Sequence, residues 1–322
     1  MRPSAFSYRA PISPSEASEA LALAGAMPLG GGTDLLVWIE EGLAQPDTLI
    51  DLRQVSGSAS ITETETGVRI GASARLAGIA EHSLVRERYA ALASACESVG
   101  TPALRAMGTL GGNLCQRPRC WYLRRNIPCL KNGGSTCPAA TGENQYHAIL
   151  GGGPCFIVHP SDPAVALTAL EADIEICSAR SDPRRVPIVD FYVLPSDRLD
   201  RETILVDGEF VSAIYLPASA SAGLQRYDKL MQRGAWDFAL VSLAATRRAD
   251  GEVRLVLGGV APRPWRVTSS VEEDVASGGL DADAAEVLAD RALYDAQPLE
   301  KNDYKVRMAH TLLMRAMIEL GA

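Results

Sequence analysis

The chain has 322 residues, of which 47% are hydrophobic and 22% charged, and a formal net charge of -8. That length exceeds what one core organises and implies two or three subdomains, and the balance of apolar and charged residues excludes a disordered chain. An acidic sequence, with a pI near 5.2, excludes nucleic acid as the natural partner, and no window holds the roughly eighteen apolar residues that a membrane span needs.

The N-terminal stretch from Met1 to Ala17 lacks the apolar centre of a secretory signal. The expected compartment is the cytoplasm, with periplasmic export alongside a signal-bearing partner as the alternative. Ser13-Pro14-Ser15-Glu16 predicts a helix start, with Ser13 as cap, Pro14 at the first position and Glu16 closing a capping box; the helix should run to about Gly25. A short strand then leads into Gly30-Gly31-Gly32-Thr33-Asp34, and Leu35, Leu36, Trp38 and Ile39 suit a helix packed on it. Leu49–Leu52 and Val68–Ala72 predict strands, and 75–98 carries the 3.6 period of one or two helices.

From Thr101 to Pro160 the periodicity disappears in a segment too long for an ordinary connection. Strands are expected at 155–158, 173–177 and 210–216, with a helix at 163–171. Pro217–Gly223, small and turn-forming, suggests a boundary. Beyond it, strands near 225–232, 238–246 and 253–260 and helices at 282–295 and 301–320 predict a three-stranded sheet backed by helices. The units are thus 1–54, 55–217 and 218–322, in an α+β fold.

Two glycine-rich turns, Leu29–Leu35 and Gly108–Leu114, could each cradle a diphosphate, because glycine lets backbone N–H groups approach an anion closely. Neither matches the Rossmann or P-loop pattern, and either one alone could be no more than a tight turn. Of the seven cysteines, five lie between 115 and 155. An odd count without a secretory signal points to metal or redox use rather than a disulfide framework. The run Cys120-x8-Cys129-x7-Cys137-x17-Cys155 could hold an iron–sulfur cubane or zinc, but the paired knuckles usual for zinc are missing. Arg117, Arg119, Arg124, Arg125 and Lys131 supply cations for a negatively charged cluster; unligated buried thiols are the bland alternative. Cys96 and Cys177 read as core residues. His147 and His159 read as structural hydrogen-bonding groups, and His82 and His310 carry no functional assignment.

The glycine motifs, together with His159-Pro160-Ser161-Asp162 and Gly258-Gly259-Val260-Ala261-Pro262, resemble the FAD subunit of the xanthine dehydrogenase family of molybdenum hydroxylases, nearly end to end. The resemblance implies a vanillyl-alcohol-oxidase-type fold: two FAD-binding subdomains, the second with an iron–sulfur loop at 115–160, plus a C-terminal α+β domain. It implies that Leu29, Gly30, Gly31, Gly32, Thr33, Asp34 and Leu35 wrap the FAD diphosphate with Thr109, Gly111, Gly112 and Asn113. It further implies that Ser161 and Asp162 bond the ribityl or adenosine part, and that Lys229 stands near the isoalloxazine. The cysteine loop resembles that of family members carrying an extra [4Fe-4S] cluster, of the aldehyde oxidoreductase and 4-hydroxybenzoyl-CoA reductase types, closer in spacing to the former. Cys120, Cys129, Cys137 and Cys155 are then the ligand set, with Cys115 outside it.

So read, the chain carries FAD and [4Fe-4S] and relays electrons to an external acceptor. Its expected partners are a large molybdenum-cofactor subunit, where the substrate is oxidised, and a small [2Fe-2S] subunit, in a heterotrimer or a dimer of heterotrimers. The rival readings are a 4-hydroxybenzoyl-CoA reductase-like subunit, a self-sufficient flavin oxidase, and a zinc-organised scaffold.

Overall fold

The computed structural model describes residues 5–321; residues 1–4 and 322, the outer ends of the first and last expected units, lie outside it. Strand β1 (Ser7–Arg9), helix α1 (Pro14–Leu21), β2 (Ala26–Leu29), α2 (Leu35–Glu40) and β3 (Thr48–Asp51) form the first unit, a parallel sheet in the order β1-β3-β2. Ser13 caps α1 by accepting from the Glu16 N–H at 3.3 Å, while the Glu16 carboxylate reaches back to the Ile12 N–H at 3.1 Å rather than to Ser13. The helix stops at Leu21, earlier than expected, and the chain turns through Gly25 at a φ of +70°.

The second unit opens with β4 (Ile61–Thr64) and β5 (Gly67–Gly71), followed by α3 (Leu76–Glu81), α4 (Ser83–Arg88) and α5 (Ala90–Glu97). These are three short helices where the period predicted one or two. His82 and Tyr89 leave the helical conformation between them, and the buried Tyr89 hydroxyl donates to the Pro217 carbonyl at 3.2 Å. The stretch without periodicity contains α6 (Pro102–Met107), α7 (Leu110–Leu114) and α8 (Trp121–Arg124), each too short for a pattern to register. Helix α9 (Asp162–Ala169) and strands β6 (Asp173–Ser178), β7 (Ser181–Pro187) and β8 (Phe210–Pro217) complete an antiparallel sheet ordered β4-β5-β8-β6-β7. The strand expected at 155–158 does not form. That segment runs beside the C-terminal unit, where the His159 N–H donates to the Ala261 carbonyl at 2.9 Å, but it enters no sheet. Strand β7 was not predicted: its residues, Ser-Asp-Pro-Arg-Arg-Val-Pro, are those of a charged, proline-bearing edge.

In the third unit β9 (Gly223–Leu230), β10 (Val241–Arg248) and β11 (Val253–Gly258) are the three long antiparallel strands expected, extended at one edge by the two-residue β12 (Trp265–Arg266). Helices α10 (Ser269–Ala276), α11 (Ala282–Ala292) and α12 (Tyr304–Gly321) follow. Along β10 the side chains alternate between two cores. Val241, Leu243 and Ala245 join Leu313, Ala316 and Met317 of α12, whereas Ala244 joins Val165 and Ala166 of α9. Helix α9 is buried over its whole length, which its unbroken run of small and apolar residues permits. It therefore welds the second unit to the third and fixes Ser161 and Asp162 at its start. No helix among the described residues is long and apolar enough to cross a membrane.

Candidate functional site

The two glycine motifs lie against each other. A Cβ on Gly31 would stand 1.9 Å from the Met107 carbonyl oxygen, and one on Gly30 would stand 2.6 Å from Thr109 Oγ1, so only glycine lets β2 leave the sheet this close to α7. Gly32 adds a φ of +77° before Leu35 starts α2 and packs beside Leu29 and Ile39. The second motif is a cap and first turn of α7 rather than a free turn, with Thr109 Oγ1 accepting from the Gly112 N–H at 3.2 Å. Gly111 lies where a Cβ would come within 2.8 Å of the Ala72 side chain. The line continues through Asn113, whose Oδ1 accepts from the Ser161 hydroxyl at 2.5 Å. Three motifs far apart in sequence thus share one site.

Asp34 and Lys229 have protein partners that their local sequence does not announce. The Asp34 carboxylate takes the guanidinium groups of Arg119 and Arg124, each at 2.8 Å, and the Arg117 N–H at 3.1 Å, so it anchors the cysteine loop to α2. Lys229 donates to Asp162 Oδ2 at 2.8 Å and to the Ser98 carbonyl at 3.0 Å, and Tyr227 donates to Asp162 Oδ1 at 2.6 Å. Burial raises the Asp162 carboxyl pKa, with Lys229 and Tyr227 pulling the other way.

Asp162 and Ser161 open onto a cleft of about 300 Å³ between the second and third units. Trp121, Tyr146 and His147 of the cysteine loop line one part of it, and Gln232 and Phe238 of the β9–β10 connection line another. The Tyr146 hydroxyl donates to Gln232 Oε1 at 2.6 Å, and the Arg119 guanidinium lies over the Phe238 ring, 5.0 Å from its centre. Nε2 of His159 and Oγ of Ser242, both buried and both lining the cleft, find no hydrogen-bond partner among the described residues. The glycine motifs do not line this cleft but meet it through the Ser161–Asn113 bond, and a cleft with unmet polar groups beside such turns suits a cofactor such as FAD.

Cys120, Cys129, Cys137 and Cys155 line a second, smaller cavity with Lys131 and His147, while Cys96, Cys115 and Cys177 do not border it. Cys96 and Cys177 are core residues as expected, and burial pushes the Cys115 thiol up to about 12. The Cys155 thiol, hydrogen-bonded to Cys137, draws Cys137 down to about 6 while its own pKa rises. Of the expected cations, Lys131 borders the cavity. Arg117 and Lys131 both pair with buried Glu202, at 2.7 and 2.9 Å, and Arg117 and Arg124 lie over the Trp38 ring. The loop is therefore held by ion pairs to Glu202 and Asp34 outside it and by a small cluster of Trp38, Leu123 and Cys129.

Cys120 and His147 border both cavities, and His147 Nε2 stands 3.3 Å from Cys120 Sγ. The sequence reading gave His147 a structural bond without naming its partner, and it passed over Tyr146, Gln232 and Phe238. The aromatic run Trp121-Tyr122 directly after Cys120 was the available signal, since Trp121 packs edge-on against both Tyr146 and His147.

Fold and site together define an FAD-binding subunit of the molybdenum hydroxylases. Residues 4–219 match the family described as FAD binding domain in molybdopterin dehydrogenase, and residues 226–320 match the CO dehydrogenase flavoprotein C-terminal domain; the chain belongs to this family of oxidoreductase subunits. It is 35% identical over 99% of both chains to the aldehyde oxidoreductase FAD-binding subunit PaoB of Escherichia coli strain K12. It is 26% identical to the carbon monoxide dehydrogenase medium chain of Hydrogenophaga pseudoflava, over 98% of this chain and 97% of that one. A solved structure of the Hydrogenophaga pseudoflava carbon monoxide dehydrogenase superposes with a TM-score of 0.75 over 100% of both chains, at 26% identity. Quinoline 2-oxidoreductase from Pseudomonas putida 86 shares the fold, with a TM-score of 0.77 over 100% of this chain and 98% of that one, at 23% identity.

Proposed function

We propose that this subunit carries FAD and a [4Fe-4S] cluster and passes electrons from [2Fe-2S] clusters on a small partner to an external acceptor, while a large molybdenum-cofactor partner oxidises the substrate. The observation that carries the cluster reading is that four cysteines from separate parts of one loop, and no others, border a single cavity. Among the described residues no three His, Cys, Asp or Glu side chains converge on one metal-ion position. A tetrahedral ion about 2.3 Å from each sulfur would need thiolates only about 3.8 Å apart. A cubane takes one thiolate per iron and suits four cysteines that border one cavity.

The reading for FAD rests on the joined glycine motifs and the cleft beside them. Thr109 and Gly112 lie directly beside Gly30, and Ser161 ties that edge to the cleft through Asn113. Lys229 acts through Asp162, fixing its carboxylate at the cleft. FAD, when bound, takes electrons singly from iron–sulfur centres and passes them on singly or in pairs. Relatives named as subunits or medium chains, among them an aldehyde oxidoreductase subunit of near-equal length, support a multi-subunit setting and an aldehyde or N-heterocycle substrate class.

Anaerobic reductive titration of the purified chain tests this. About three electrons taken up per FAD, two by flavin and one by a cluster, is the expected result. Uptake of about two would leave a plain flavin subunit.

A further inference from the structure

His147 is held through both of its backbone groups. Its N–H donates to the Asn144 carbonyl at 3.0 Å, and its carbonyl accepts from Asn302 Nδ2 and Lys305 Nζ, both at 3.1 Å. Asn302 and Lys305 are 0% and 1% exposed and come from the C-terminal unit, and Lys305 also donates to the Tyr146 and Gly259 carbonyls at 3.0 and 2.8 Å. The lysine meets three backbone carbonyls, so its three donors are spent on holding this turn in place. The imidazole is further boxed by the Trp121 and Tyr122 rings, with centroids 6.0 and 6.1 Å away. What this clamp fixes is Nε2, 3.3 Å from Cys120 Sγ, at the wall between the two cavities.

We infer that His147 is a positioning residue that donates a hydrogen bond from Nε2 to Cys120 Sγ and thereby sets the reduction potential of the cluster bound there. This rests on the [4Fe-4S] reading above. A cysteine ligating iron is a thiolate and can only accept, so the proton of the pair belongs to Nε2. Donation to a ligand sulfur stabilises the more negative, reduced cluster and raises its potential. The clamp from Asn302 and Lys305 makes that bond a property of the docked C-terminal unit, and it places the tuned sulfur on the side of the cluster cavity that faces the cleft.

The test uses the purified holoenzyme, with iron and FAD measured on every sample and the cluster followed by electron paramagnetic resonance in a redox titration. In His147→Leu the cluster should keep its iron, and its reduced-to-oxidised ratio at the wild-type midpoint should fall about tenfold, a lowering of about 59 mV for a one-electron couple. His147→Gln, which keeps an N–H donor, should recover most of it. Full iron with an unchanged midpoint in His147→Leu overturns the inference and leaves the cluster standing. Wild-type iron no higher than the partner's [2Fe-2S] clusters account for, with no [4Fe-4S] resonance, overturns the cluster reading itself. If His147→Leu loses its iron, wild-type enzyme labelled with 15N-histidine decides: a weak histidine nitrogen coupling with an exchangeable proton on the reduced cluster supports the bond. No coupling, or the strong coupling of a directly ligated nitrogen, contradicts it.

Discussion

Lys229 and Asp162 form an ion pair at 2.8 Å with side-chain exposures of only 4% and 5%, joining β9 of the C-terminal unit to the first turn of α9. Buried charges tolerate the loss of a partner poorly, because the survivor is left uncompensated. Lys229→Met should therefore lower the unfolding free energy by about 3–5 kcal/mol in urea denaturation. The double variant Lys229→Met with Asp162→Asn should recover much of that loss. Recovery absent from the double variant would mean that Lys229 serves something other than Asp162.

The contact between the glycine motifs gives a second expectation. Gly31→Ala places a methyl group against the Met107 carbonyl and should cost about 1–3 kcal/mol, with loss of FAD from the purified chain. Gly78→Ala is the control: the site is open, lies within α3, and should gain up to about 1 kcal/mol with FAD content unchanged.

Asp34 tests how the cysteine loop is held. Asp34→Asn weakens two arginine pairs whose side chains are 12–28% exposed, and should cost about 1–2 kcal/mol. Iron should then be lost faster to a chelator while FAD is retained. Equal loss of both would place Asp34 at the flavin, as its position in the first glycine motif suggested.

Burial lowers the His159 pKa from 6.5 to about 4. The folded protein keeps the imidazole neutral while the unfolded chain binds a proton, so the associated stability is present above about pH 6.5 and is lost as pH falls toward 4. The size of this loss is about 3 kcal/mol. His159→Gln should flatten the dependence of the urea midpoint on pH across that window, and an unchanged slope would show that other groups set it.

Much of this arrangement was legible in the sequence. Glycine turns, the cap at Ser13 and the long strands β9–β11 announce themselves through local chemistry: a Cβ that will not fit, a hydroxyl before proline, an alternation of two. The cysteine spacing, with the family resemblance that sets Cys115 aside, likewise points to the four residues that share a cavity. What stayed hidden depends on contacts distant in sequence. Nothing near Asp34 says that its carboxylate goes to Arg119 and Arg124, nothing near Lys305 says that it holds the carbonyls of Tyr146 and His147, and β7 carries the polar residues of an edge rather than a strand's alternation.

The most direct measurement is iron and acid-labile sulfide per FAD in the anaerobically purified chain, in wild type and in Cys129→Ser, with Cys115→Ser as the control. About four irons and four sulfides per FAD, kept in Cys115→Ser and lost in Cys129→Ser, is the result expected if the cysteine-lined cavity holds a [4Fe-4S] cluster. FAD without iron, or a single zinc in its place, would contradict it.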